Sequence, residues 1–194
     1  MKQKIVKTKI YVAVISLLFI LTSLVPANAV SVKASVVTVS LQNGITKLIE
    51  KQEDLTKKYD REQFRHWIKS TKYPQCNVRY EILIDEGENT AVSKNCYVIG
   101  TWTSYYDNTT FTDPRLLDID HMVPLHEAWK SGASKWGKAK RQQYANDTTN
   151  PYTLVAVSRS SNRSKSDKDP AKWLPKYNKC QYINEWVSVK LYWN

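Results

Sequence analysis

The run Leu117-Asp118-Ile119-Asp120-His121-Met122-Val123-Pro124-Leu125-His126-Glu127-Ala128-Trp129 brings three acids and two of the chain's three histidines close together in sequence. A carboxylate beside an imidazole suits a site that needs a hard cation and a proton acceptor at short range. Downstream, Asn150 and Asn162 offer amide oxygens, and Arg163, Lys165 and Lys168 follow Asn162 closely. In this set Asp120 and Asn162 are the candidate metal ligands. His121 is the candidate general base, and Arg163, Lys165 and Lys168 are candidate contacts to phosphates. An imidazole that titrates near neutrality takes a proton from water, and a divalent cation, Mg²⁺ first, relieves charge on a phosphoryl oxygen. That is the equipment for hydrolysing a phosphodiester, leaving 5′-phosphate and 3′-hydroxyl ends. The base needs an acceptor to fix its tautomer, and Asn150, through its amide oxygen or its backbone carbonyl, is assigned that role, with Asn146 as the rival. Taken alone, Asp120-His121 reads more readily as a buried salt-bridged pair on a strand.

Other chemistries are absent. His121 and His126 are five apart with Pro124 between them, whereas a zincin helix needs four and a Glu after the first His. There is no Gly-x-Ser-x-Gly elbow, no Cys-x-x-Cys pair and no glycine loop for phosphates, with only 5 Gly in the chain.

The elements that position these residues follow from apolar spacing. Ile119, Val123 and Leu125 bury a strand over about 117–124, and Pro124 stops it. A second strand is expected over 150–157, and a helix over 158–167 carries Asn162. A basic helix, 135–144, falls between the strands. Upstream, Ile45, Leu48, Ile49 and Leu55 predict an amphipathic helix over 45–58, and the capping pair Asp60/Gln63 opens a second helix bearing Phe64, Trp67 and Ile68. Alternation from Val78 to Ile84 predicts a strand, which turns at Asp85-Glu86-Gly87 and pairs as a hairpin with a strand over 96–103. Cys76 and Cys96 flank this hairpin and are the expected disulfide, leaving Cys180 unpaired. Tyr182 to Trp193 predicts a C-terminal helix.

Export accounts for the first residues. Lys2, Lys4, Lys7 and Lys9 precede an apolar run from Tyr11 to Val25 and an Ala-x-Ala site at Ala27-Asn28-Ala29. Residues 1–29 read as a signal peptide, 30–44 as a loose mature terminus and 45–194 as one domain. Without that head the formal charge falls from +11 to +7, because four lysines leave with it. A secreted basic monomer with no stable membrane association is expected, and polyanions are its natural partners.

The wider pattern resembles the GmrSD-type HNH nucleases, especially their secreted bacterial members. Asp118-Ile119-Asp120-His121-Met122-Val123-Pro124-Leu125, Ala128-Trp129 and Ser131-Gly132-Ala133 carry the resemblance. Tyr144-Ala145-Asn146-Asp147, Asn162-Arg163-Ser164-Lys165 and Asp169-Pro170-Ala171-Lys172-Trp173-Leu174-Pro175 continue it in order, within a match over about 59–193. The family's second strand usually opens Asn-Leu, whereas here Asn150 precedes Pro151. The resemblance implies an α+β fold with a ββα-metal (HNH/His-Me finger) core, a helical insert, flanking helices and an upstream β-hairpin. It also implies a secreted, Mg²⁺-dependent endonuclease acting on nucleic acid, DNA before RNA, with little sequence preference. A nucleic-acid-binding or uptake protein without catalysis is the alternative.

Overall fold

The computed structural model describes residues 41–194. The signal peptide expected over 1–29 lies outside them, as does most of the 30–44 stretch. In chain order the helices are α1 (Leu41–Lys47), α2 (Val78–Glu86), α3 (Leu125–Lys130), α4 (Lys138–Ala145), α5 (Arg159–Lys165) and α6 (Lys179–Tyr192). The strands are β1 (Glu88–Val92), β2 (Val98–Ser104), β3 (Thr109–Phe111), β4 (Leu117–His121) and β5 (Leu154–Ser158). The fold is mixed α/β, with a three-stranded sheet ordered β1-β2-β3 and an antiparallel pair β4-β5.

The β4–β5 pair is the centre. Leu117 lies opposite Ser158 and His121 opposite Leu154. One face, through Leu117, Ile119, Leu154 and Ala156, packs on Val78, Ile82 and Leu83 of α2 and on Val98 and Trp102 of β2. The other, through Val155 and Val157, packs on Tyr106, Met122, Tyr182 and Trp186. Burial on both sides explains why Leu154-Val155-Ala156-Val157 is an unbroken apolar run rather than an alternating one. The pair is shorter than the strands expected at 117–124 and 150–157, because Thr153 still closes a turn on the Asn150 carbonyl. Helix α5 follows β5 directly, and the Ser158 side chain caps it by accepting from Ser161 N–H.

Upstream the structure corrects three expectations. Val78 to Ile84 is helix α2, not a strand. Asn77 caps it by accepting from Tyr80 N–H, and Val78, Glu81 and Ile82 are buried at helical spacing. The hairpin therefore forms one element later, between β1 and β2. The helix expected over 45–58 is confined to α1, whose first residues belong to the stretch expected to be loose. Gly44 lies so close to α6 that an added Cβ would come within 2.9 Å of Val187. Beyond it the backbone bonds to the α3 region instead of to itself, with Asp54 N–H donating to the Lys130 carbonyl and the Trp129 indole to the Lys57 carbonyl. After Asp60 only a 3-10 turn forms, Arg61–Gln63, and Trp67 takes a left-handed φ of 58° that no helix continues through.

Cys76 and Cys96 are joined, with Cα atoms 5.5 Å apart, which pins the β1–β2 turn to the loop before α2. Cys180 is free and exposed on α6. Among the described residues no helix is long and apolar enough to cross a membrane.

Candidate active site

His121 ends β4 and is buried at 6% exposure. Its Nε2 lies 3.1 Å from the Ala145 carbonyl at the end of α4. A carbonyl only accepts, so Nε2 carries the proton and Nδ1 keeps the lone pair. Removal from water pushes the imidazole pKa down to about 3, and the charges of Arg61, His66 and Lys165 act in the same direction. The Ala145 bond opposes them without winning. The ring is therefore neutral at physiological pH, with one defined acceptor atom. Trp67 lies over it at 5.8 Å between ring centres, from the left-handed backbone already noted.

The acceptor that fixes this imidazole is a backbone carbonyl, not the asparagine side chains expected from the sequence. Asn150 accepts from Tyr152 N–H at 3.0 Å and donates its own N–H to Asp147, so it builds the turn into β5. Asn146 donates from its amide to the Arg65 and Gln142 carbonyls, each at 2.7 Å, and accepts from Ile68 N–H. Neither side chain is bonded to His121. Asn146 instead terminates α4, which leaves the preceding carbonyl free for the imidazole. A backbone acceptor leaves no mark on residue type, so no sequence signal identified Ala145.

Asp118 and Asp120 both leave β4 on the α5 side, as alternation requires. Asp120 is buried at 5% exposure, accepting from Lys165 Nζ at 2.9 Å and from the Tyr106 hydroxyl at 2.7 Å. Lys165 Nζ also donates to the His121 carbonyl at 3.0 Å. Burial pushes the Asp120 carboxyl up and the Lys165 ammonium down, while each group draws the other back toward its charged form. Lys165 has no exposed surface, which corrects its expected role. An ammonium laid under β4 cannot reach a phosphate at the surface. Tyr106 is the second partner of Asp120.

Asn162 donates to Asp118 at 3.2 Å, so the two predicted ligands, Asp120 and Asn162, have different partners. Asp118 is part-exposed and also faces Arg159 Nε at 3.7 Å and Arg163 Nε at 4.0 Å. Arg163 is exposed, and Lys168 sits at the surface donating to the Ser164 carbonyl near the end of α5. Among the described residues no group of three or more His, Cys, Asp or Glu is arranged as a metal cluster. The donors on this side of β4 are carboxylate and amide oxygens, the chemistry Mg²⁺ takes when it keeps most of its water.

Glu127 and His126 lie apart from this centre. Glu127 accepts from Ser131 and Lys190 and so ties α3 to α6. His126 Nδ1 lies 2.7 Å from Asp167, and its ring stacks on Tyr59.

A secreted protein of Arthroderma benhamiae, described as an uncharacterized secreted protein, is 36% identical over 184 residues, covering 93% of this chain and 87% of its own length. That relative is fungal. No solved structure matches. The profile of the GmrSD restriction endonucleases, C-terminal domain, matches residues 77–194, from the cap of α2 through α6. The chain belongs to that family.

Proposed function

We propose that the protein is an exported, metal-dependent endonuclease that hydrolyses phosphodiester bonds in nucleic acid, DNA before RNA, with β4, β5 and α5 forming a ββα-metal core. The observation that carries this reading is His121, held neutral with Nε2 on the Ala145 carbonyl and Nδ1 as its acceptor. A base so placed removes a proton from the attacking water. Asp118, Asp120 and Asn162 are the oxygen donors that would hold a divalent cation, most simply Mg²⁺. Such an ion supplies polarisation of the scissile phosphate and charge relief at the leaving oxygen. Arg163 and Lys168 hold flanking phosphates, a contact that positions the strand without reading its sequence. Export is supported by the basic head, apolar run and Ala-x-Ala site, and by the relative described as secreted.

Plasmid nicking tests the proposal. Relaxation of supercoiled DNA is expected with Mg²⁺ and not with EDTA. His121→Ala should lower the rate by about 10²- to 10⁴-fold. Full activity in His121→Ala, or cleavage indifferent to EDTA, would remove His121 or the metal from the mechanism. Tight binding without any cleavage would favour a binding or uptake protein.

A further inference from the structure

Next to Asp118 lies a surface that the cleavage chemistry leaves unused. Leu116 and Arg115 precede β4, and the Arg115 side chain is 87% exposed. The Arg115 carbonyl accepts from the Arg159 guanidinium, so this turn and α5 are bound together. Tyr97, immediately before β2, is 68% exposed, and Ile99 of β2 is 50% exposed. The 3-10 turn Pro114–Leu116, which carries Arg115, packs against β2.

Two features of this surface bear on what it holds. The first is charge. Arg79, Arg115, Arg159 and Arg163 gather around two carboxylates, Asp113 and Asp118, which leaves a positive excess beside the proposed site. Arg159 Nε is buried and makes no hydrogen bond among the described residues. The second is rigidity. The turn carrying Tyr97 is closed in both directions, by Ser93 N–H to the Tyr97 carbonyl at 2.9 Å and by Tyr97 N–H to Ser93 Oγ at 3.0 Å. Cys96, the preceding residue, is disulfide-bonded to Cys76. An exposed ring on an anchored turn loses little freedom when a flat ligand stacks on it.

We propose that Tyr97, with Arg115 and Arg159 beside it, is a subsite for an unpaired nucleotide, so that the protein holds single-stranded nucleic acid flanking the bond it cuts. This rests on the nuclease reading. The arginines meet the phosphates and the phenol ring takes a base, the combination by which single strands are bound without sequence preference. A duplex offers the same phosphates but keeps its base faces stacked inside.

Fluorescence anisotropy in EDTA, with a labelled oligothymidylate and with a duplex, separates binding from cleavage. Tyr97→Ala should bind the single strand about tenfold more weakly, and Tyr97→Phe should bind as the parent does. Duplex affinity should change by less than about twofold in Tyr97→Ala. An unchanged single-strand affinity, or an equal loss on both ligands, overturns the subsite. Nicking by the parent protein alongside a Tyr97→Ala variant that binds normally removes the subsite and keeps the nuclease. A single-strand defect in Tyr97→Ala, in a protein that never nicks, keeps the subsite and removes the nuclease.

Discussion

The two ends of β4 carry similar residue types in opposite surroundings. At the far end, Asp120 and His121 are buried, and each is held by a specific partner: Lys165 and Tyr106 for the first, the Ala145 carbonyl for the second. At the near end, Asp118 is part-exposed and shared among Asn162, Arg159 and Arg163 at 3.2 to 4.0 Å. Strand alternation puts both carboxylates on one side, so neither residue type nor periodicity distinguishes them. Packing does, because Asp120 is buried against Tyr106 and Lys165 while Asp118 is part-exposed. Enclosure makes the far end costly to perturb and keeps its geometry fixed. Openness leaves the near end able to exchange its protein partners for a cation or a phosphate.

Acid should break the enclosed end first. His121 has a folded-state pKa of about 3, well below the ordinary value of 6.5. A depressed imidazole pKa means that the unfolded chain binds the proton more readily. Stability is therefore intact above about pH 6.5, falls as the pH drops toward 3, and has lost this contribution fully below that. The size is on the order of 4–5 kcal/mol. Urea unfolding of the parent and of His121→Gln across this window isolates it, because the variant should show a shallower acid slope. Parallel slopes would show that His121 is not buried neutral.

Lys165→Met tests the same end through the ion pair. Removing the ammonium leaves Asp120 buried and short of a partner, at an expected cost of about 3–5 kcal/mol in urea unfolding. Adding Asp120→Asn should recover part of the loss, since the stranded charge is gone. A Lys165→Met protein as stable as the parent would mean that the pair is open to water.

Much of this centre was legible in the sequence. A strand holding Asp120-His121, the following strand and the short polar helix with Asn162 were all placed within a few residues, because Ile119 and the run from Leu154 to Val157 declare buried strands, although β4 ends at His121 and not at Pro124. What escaped was decided by contacts across the chain. The Ala145 carbonyl carries no side-chain signature. Lys165 reads as a surface lysine in Ser158 to Lys168, until the aromatic roof of Tyr106 and Trp186 encloses it. Val78 to Ile84 satisfies period 2 and helical spacing together, and the deciding signal was Asn77, a cap that needed weighing against the alternation. Residues 48–58 have helical spacing, but Asp54 N–H and the Lys57 carbonyl bond to Lys130 and Trp129 of α3, which no local pattern announces.

Asp118→Asn asks whether the open end does chemistry or only decorates the surface. Its contacts to Arg159 and Arg163 are long and part-exposed, and such pairs contribute about 0–1 kcal/mol, so unfolding should scarcely move. Nicking should nonetheless fall about 10- to 100-fold, the range seen when groups that tune a metal site are altered. The Mg²⁺ concentration for half-maximal rate should rise with it. That split separates Asp118 from Asp120, whose replacement must disturb stability because its carboxylate receives the buried Lys165. If Asp118→Asn nicks as the parent does at every Mg²⁺ concentration, the cation depends on Asp120 and Asn162 alone, and Lys165 must give up Asp120 before the metal can bind. If it loses stability instead of activity, the exposed arginine cluster is a structural clasp between β4 and α5, and the contrast between the two ends of the strand is one of degree.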